Sequence, residues 1–325
     1  MTAIVHGAYG TAPEAVLRLA QAPKPEIGDD EVLVRVHAAS VDRGTWHIMA
    51  GLPYPIRIAG FGLRKPKHLN PGRSLAGTVE AVGSDVTSFA PGDAVFGIAD
   101  GSFAQYARVG IDKLAAKPAN VSFEEAATVP ISALTALQAV RDQGRAKKGQ
   151  KVLIIGASGG VGSFAVQIAK SSGADVTGVC STGKMTLLRA IGADHVIDYT
   201  RDDVVDGVHR YDVVLDIAGN RPVSDLRRAL TPDGTLVIVG GETDGRWLGG
   251  THRQIGAIVL SPLVSQKLGT FISSENAADL VALRELIEAG AVKPVVDRSY
   301  PLSDVAAAIH HLVDGHAHGK VAITV

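Results

Sequence analysis

The stretch Ile154-Ile155-Gly156-Ala157-Ser158-Gly159-Gly160-Val161-Gly162 most constrains how this chain folds. It follows an apolar run, Lys151 to Ile155, and opens a segment with helical spacing, Val161 to Ser171. A strand, a glycine turn and a helix in that order form the first half of a βαβ unit and the setting of a dinucleotide-binding turn. The strict G-x-G-x-x-G form is not met. Ala157, Gly159 and Gly162 keep its spacing, with alanine in place of the first glycine. The physics survives that change. Gly159 and Gly160 let the backbone approach a pyrophosphate, Gly162 lets the helix pack close on the sheet, and the first-turn N–H groups face an anion. The plainer alternative is a structural glycine turn.

The surrounding pattern extends the unit. Strand-like runs at 175–180, 195–198, 211–217 and 235–239 alternate with helical stretches at 185–191 and around 226–230. Such alternation predicts a doubly wound parallel sheet over residues 123–274. Residues 1–122 read differently. Short alternating runs such as Val32–Ala38, Gly77–Gly83, Ala94–Gly97 and Phe103–Val109 are broken by Gly and Pro, which predicts a β-rich, barrel-like domain. Gly51 to Gly72 reads as a long loop rich in Pro, Gly and basic residues. Residues 275–325 return to mixed structure: a helix over 276–289, a second over 303–313 with Ser303 as N-cap, and a last strand over 319–325.

Composition excludes several classes. With 325 residues, 46% hydrophobic and 20% charged, the chain has the material for about two packed domains and is not a disordered polymer. A net charge of −1 gives no overall basic bias toward nucleic acid or an anionic membrane. Cys180 is the single cysteine, so no intrachain disulfide can form, nor a zinc site needing two thiolates. No apolar run approaches the ~18 residues of a membrane span. The first residues lack a basic n-region, and the expectation is a soluble cytoplasmic protein.

The end of the second strand of the βαβ unit separates the two nicotinamide dinucleotides. An NAD site expects Asp or Glu there to hold the ribose 2′-OH. The segment reads Gly178-Val179-Cys180-Ser181-Thr182-Gly183-Lys184, with no carboxylate, two hydroxyls and a lysine. These donors suit a 2′-phosphate, so NADPH is favoured over NADH. The same hydroxyls also suit the cap of the following helix.

Several segments carry a resemblance over nearly the whole chain: Pro91-Gly92-Asp93-Ala94-Val95-Phe96-Gly97, Leu134-Thr135-Ala136-Leu137, Gly156 to Gly162, Gly192-Ala193-Asp194-His195-Val196-Ile197-Asp198-Tyr199, Val214-Leu215-Asp216-Ile217-Ala218-Gly219 and Gly319-Lys320-Val321. In this order they resemble the medium-chain dehydrogenases/reductases, in the zinc-free branch similar to quinone oxidoreductases. The resemblance implies an α/β chain in which a GroES-like catalytic domain, 1–122, is interrupted by a Rossmann domain, 123–274, and completed by 275–325. It implies Thr135 near the nicotinamide, Ser158, Gly159, Gly160 and Val161 at the pyrophosphate, Ser181, Thr182 and Lys184 at the 2′-phosphate, and Tyr199 at the adenosine end. Ala218, Gly219, Gly240 and Gly241 fall at carboxyl ends of expected strands, where open α/β sheets bind ligands. Lys320 reaches the cleft between the domains or is an exposed lysine at a strand start.

Zinc-using members place a Cys where this chain has Asp42 and a His-Glu pair where it has Arg73-Ser74. Without thiolate and imidazole, no metal is expected. No Lewis acid is then at hand for a simple alkoxide, whereas a quinone or enone spreads incoming charge over its own π-system. Many quinone reductases carry Asn-x-x-Asp where this chain has Asp42 and Thr45. Asp42, Thr45 and Tyr54 are the candidates for the substrate side, with an Asx turn or cap the simpler role for Asp42. The expected function is transfer of hydride from NADPH to a quinone, enal or enone, a small-molecule substrate. The expected assembly is a homodimer joined through Gly269–Ser273. A zinc-free alcohol/ketone oxidoreductase and a non-catalytic NADPH-binding sensor are the alternatives. His310, His311, His316 and His318, and the basic residues of the 51–72 loop, read as solvated surface.

Overall fold

The chain begins with strands β1 (Thr2–Val5) and β2 (Arg18–Gln21), an antiparallel pair. Then come β3 (Glu31–Val41), β4 (Ser74–Val82), β5 (Ala94–Ile98), β6 (Tyr106–Gly110) and β7 (Leu114–Ala116). Parallel strands follow as β8 (Lys151–Ile155), β9 (Asp175–Cys180), β10 (His195–Asp198), β11 (Tyr211–Asp216), β12 (Leu230–Ile238) and β13 (Lys267–Thr270). The chain ends through β14 (Val296–Pro301) and β15 (Lys320–Thr324). The structure is a computed structural model, and it describes residues 1–325 apart from 242–244 and 248.

Two units divide the chain: Met1–Leu134 with Glu275–Gly290 and Pro294–Val325, and Thr135–Ser274 with Ala291–Lys293. The division falls inside the helix Pro130–Gln138, not at 122/123. Residues 123–134 go with the first unit because the helix Phe123–Ala127 packs on β3 and β4. A Ser122–Glu125 capping box starts that helix, each residue's side chain accepting from the other's backbone N–H.

In the first unit, β3 is the spine of a seven-stranded sheet ordered β14-β15-β3-β4-β5-β7, with β6 off this path on β3. One edge of β3 pairs antiparallel with β4. Its other edge is shared: Glu31–Arg35 pair with β6, and Ala38–Val41 pair with β15. Ile4, Ala39, Val41, Met49, Phe103, Val321 and Ile323 bury one cluster of this unit, and Val32, Val34, Leu75, Val79 and Val95 another. Asn276 caps the helix Ala277–Glu288 through Asp279 N (2.8 Å). Ser303 does not cap the last helix. That helix runs Val305–Val313 behind a single tight turn at Leu302–Asp304, and the Ser303 hydroxyl donates to Asp304. The 51–72 loop contains one wide helical turn, Arg57–Phe61. Tyr9 holds that turn by donating to the Phe61 and Gly62 carbonyls (2.7 and 2.6 Å).

In the second unit, the six parallel strands run β10-β9-β8-β11-β12-β13. This is the 3-2-1-4-5-6 order of a Rossmann sheet, whose direction of winding reverses between β8 and β11. Leu153, Ile155, Val179, Val214, Leu236 and Ile238 supply its core. β12 begins at Leu230, ahead of the expected start at 235, and the helix before it ends at Arg228 instead of running to 230. β13 forms the outer edge, and no described strand pairs with its free side.

Candidate functional site

The glycine turn sits at the carboxyl end of β8, at the reversal point of the sheet. Its glycines are required for different reasons. Gly156 has φ +85°, and a Cβ there would lie 2.9 Å from Ala218 N. A Cβ on Gly162 would come within 2.2 Å of the Gly156 carbonyl oxygen. Packing inside the protein therefore dictates both. Gly159 differs: φ is −82°, and the nearest atom to a built Cβ is 3.5 Å away. Nothing in the protein forbids a side chain at Gly159. The bare backbone leaves room for a ligand.

Gly159 is also the N-cap of the twelve-residue helix Gly160–Ser171 and brings no side chain to cap it. The amides of Gly160, Val161 and Gly162 lie in the first turn, where a helix supplies no acceptors of its own. Those donors and the helix dipole suit the turn to a phosphate group. Ser158 is buried beside it.

The other expected residues of this unit follow the carboxyl ends of its strands. Ala218 and Gly219 come after β11, and Gly240 and Gly241 after β12. Gly219 has φ +69°, and a Cβ on it would strike the Gly240 carbonyl carbon at 2.5 Å. These two turns therefore pack backbone on backbone. Thr135, on the helix Pro130–Gln138, donates to Ser273 Oγ (3.2 Å). Gln138 and Ser274 exchange two hydrogen bonds (2.8 and 2.9 Å). A cavity of about 870 Å³ opens at the opposite, amino ends of β11, β12 and β13, among Asp212, Thr231, Gly234 and Lys267. That is not the end at which such sheets bind ligands.

The end of β9 changes one reading. Ser181, Thr182 and Lys184 form the turn leading into the helix Met185–Ala190. Tyr199 is 55% exposed just beyond β10. A carboxylate does stand here, delivered by the neighbouring strand: Asp198 pairs in register with Cys180. It is buried and fully engaged. Oδ1 accepts from Thr200 N (3.0 Å) and Thr200 Oγ1 (2.7 Å), and Oδ2 accepts from Thr182 Oγ1. The two threonine hydroxyls are the main reason its pKa is held below the usual carboxylate range. Thr182 thus spends its proton on Asp198 and has none left to donate to a phosphate.

Asp216 and Arg253 were not singled out from the sequence. Asp216 ends β11 with no exposure, and Arg253 reaches it from the helix Thr251–Leu260. Arg253 Nη2 donates to Asp216 Oδ2, and Nε donates to the Arg221 carbonyl (2.6 Å). The Gly219 amide donates to Asp216 Oδ1 (3.2 Å). The pair thus ties the 217–221 turn to the helix. Burial pushes the Asp216 carboxyl upward, and Arg253 pulls against it. An aspartate closing an apolar strand run was a readable sign; Arg253 had none.

In the first unit, Asp42 and Thr45 form a capping box on the helix Arg43–Ala50. Asp42 Oδ1 accepts from Thr45 N (3.0 Å), and Thr45 is fully buried. Asp42 Oδ2 is buried without a hydrogen-bond partner. Lys320 is 2% exposed, so it is not a surface lysine. Its ammonium donates to the Val41 carbonyl (3.0 Å), and burial lowers its pKa while Asp42 acts to raise it. Tyr54 lies with Arg57 4.9 Å above its ring, and the same guanidinium lies 4.4 Å from the Tyr9 ring.

The residues at the family's zinc position do not suit a metal. Arg73 donates to Asp100 (2.8 Å) and to both oxygens of Glu275 (2.8 Å), and Lys113 joins Glu275 (3.0 Å). Ser74 Oγ accepts from Ile131 N. A guanidinium with its own carboxylates fills this place. Of the C-terminal histidines, His310 pairs with Glu14 and His311 with Asp297. No cluster of three metal-ligating side chains occurs among the described residues.

Family models match both parts of the chain: an alcohol dehydrogenase GroES-like domain over residues 28–139 and a zinc-binding dehydrogenase domain over residues 191–323. The chain is 32% identical to the mouse mitochondrial NAD(P)H oxidoreductase RTN4IP1, over 91% of its own length and 82% of that protein. The chain belongs to the medium-chain dehydrogenase/reductase superfamily. As a member it is an oxidoreductase working with a nicotinamide cofactor, and its first unit is the GroES-like one. Among other superfamily members, it is 32% identical to the tomato 2-methylene-furan-3-one reductase over 92% of this chain and 73% of that one. The Escherichia coli quinone oxidoreductase complexed with NADPH superposes over the whole of both chains, with a TM-score of 0.84 at 26% identity.

Proposed function

We propose that this chain is an NADPH-dependent, zinc-independent reductase of quinones, enals or enones. The observation that carries the reading is the carboxyl end of the Rossmann sheet. There an uncapped helix N-terminus with open space at Gly159 stands beside a β9 end that bears Ser181 and Lys184 and whose nearby carboxylate is covered. Similarity to a quinone oxidoreductase that binds NADPH and to a furanone reductase supports the substrate class.

Bound in this unit, the nicotinamide supplies a hydride. The chain's own residues do the rest. The amides of Gly160 to Gly162 hold the pyrophosphate, and Ser181 and Lys184 take the 2′-phosphate. The Gly219 and Gly240 turns, braced by Asp216 and Arg253, shape the floor beyond β11 and β12. Arg73, already neutralised by Asp100 and Glu275, cannot act as a Lewis acid, so the substrate must accommodate the incoming charge itself. Conjugated acceptors do so.

The reading extends to a homodimer. β13 is an open strand edge, and the neighbouring helix Thr251–Leu260 exposes Ile255, Ile258 and Val259, with Leu263 and Ile272 close in sequence. An open edge beside an apolar face is what a second copy would cover.

The test is oxidation of NADPH and of NADH with an aromatic quinone and an α,β-enone after exhaustive chelation. NADPH turnover that survives chelation is expected. Turnover lost with the metal overturns zinc independence. NADPH binding without turnover on any acceptor favours a sensor, and turnover confined to a saturated ketone favours an alcohol/ketone oxidoreductase.

A further inference from the structure

The coenzyme reading leaves a contradiction at the end of β9. A carboxylate ending the second strand is the feature by which a Rossmann sheet selects the 2′-OH of NADH, because it accepts the hydroxyl proton and repels a phosphate; Asp198 ends the third strand, β10, and is brought to the β9 end by strand pairing. Asp198 stands beside Cys180, one residue before Ser181. With Ser181 and Lys184 as phosphate ligands, the chain places a like charge near its own ligand.

The hydrogen bonds leave the charge in place but take up the oxygens that a ribose hydroxyl would need. An ionised carboxylate has about four acceptor positions. Thr200 takes Oδ1 twice, through its amide (3.0 Å) and its hydroxyl (2.7 Å). Thr182 donates to Oδ2, and Arg201 Nε lies 3.8 Å from the same oxygen. Thr182 and Thr200 also touch each other, Oγ1 to Oγ1, at 3.3 Å. The two hydroxyls lie across Asp198 from two loops, one following β9 and one following β10. The carboxylate is 2% exposed beneath them. A ribose hydroxyl would have to displace a threonine to reach it.

We infer that Thr182 and Thr200 are specificity-determining positioning residues: together they cover Asp198, so that the end of β9 accepts a 2′-phosphate instead of a 2′-hydroxyl. Thr182 acts on the coenzyme through Asp198 and not as a direct phosphate ligand. This rests on the NADPH reading above and assigns how that preference is set. Two positively charged side chains, Lys184 and Arg201, then face the phosphate without a competing open carboxylate.

The test replaces each hydroxyl by a methyl at constant shape and reads the ratio of NADH to NADPH dissociation constants, measured by titrating nicotinamide fluorescence. The wild-type ratio tests the NADPH reading alone: a protein that already prefers NADH refutes that reading before any variant is made. Given an NADPH preference, T182V should lower the ratio about tenfold, equivalent to ~1.4 kcal/mol. Thr182→Ser, which restores the donor, should return it to the wild-type value. Thr200→Val uncovers the other oxygen and should move the ratio the same way, so the inference does not hang on one variant folding. Asp198→Asn removes the charge, and in that background T182V should leave the ratio unmoved. A merely structural role for Thr182 would weaken both coenzymes alike. That result, or a T182V shift that persists without the Asp198 charge, overturns the inference.

Discussion

At the scale of single residues, the glycine turn separates what the fold needs from what the ligand needs. Gly162 has a carbonyl oxygen 2.2 Å from the place of a Cβ, whereas at Gly159 the nearest atom is an ordinary contact at 3.5 Å. Gly162→Ala should therefore cost about 1–3 kcal/mol of stability by overpacking, read as a lowered Tm. Gly159→Ala has a compatible backbone and should hold or slightly raise Tm. Its NADPH dissociation constant should rise by about tenfold, or ~1.4 kcal/mol, because the methyl enters space left for the pyrophosphate. Equal losses of stability in the two variants would refute this division. Arg253 gives a pH-dependent case. Burial already raises the Asp216 carboxyl, and Arg253→Met would leave it unopposed, costing about 3–5 kcal/mol near neutrality. The folded pKa would then stand far above the unfolded one. The folded state would hold the extra proton, so stability should be greatest in acid and be lost as pH rises from the unfolded carboxyl's pKa through the raised folded value. Denaturant melts across that range check the slope, and Asp216→Asn in the same background should flatten it.

Among elements, legibility followed the range of the interactions. β8 coincides with its apolar run, because a buried parallel strand carries continuous apolar sequence, and β9 and β10 keep their expected bounds. The helix after β8 was readable from its glycines. Ser303 misled because a short turn competes with a cap, and Asp304 drew its hydroxyl instead. The role of Asp198 at the β9 end is not legible along the chain for a different reason. This residue reaches the β9 end across a strand pairing, and sequence spacing along β9 cannot show a neighbour brought in sideways. Arg253 was invisible for the same cause at greater separation. Asp42 and Thr45 show the reverse: the simple reading, a cap, is what the geometry displays. Asp42→Ala should cost about 1 kcal/mol through the cap. Chemical denaturation measures that loss, and an unchanged midpoint would show that the capping box contributes nothing.

For the molecule as a whole, the exposed apolar face next to β13 bears on assembly. Ile258→Glu together with Ile272→Glu should convert the proposed dimer to monomer, with the circular dichroism spectrum retained; Ile272 is 96% exposed, so the fold tolerates the charge. Sedimentation of an unchanged dimer would move the interface elsewhere. The pairing of β3 has a consequence of another kind, in the order of synthesis. All six strands of the Rossmann sheet lie between residues 151 and 270, so that sheet has its full complement soon after residue 270 leaves the ribosome. β3 has no such freedom. Its Ala38–Val41 edge pairs with Val321–Thr324, and β14 reaches the sheet only through that same strand. Throughout most of translation, four residues near the start of the chain hold an unpaired edge open for a segment not yet made. A nascent chain is therefore most exposed to mispairing, and most in need of a chaperone, at the unit of β3, which closes only after the Rossmann sheet is made.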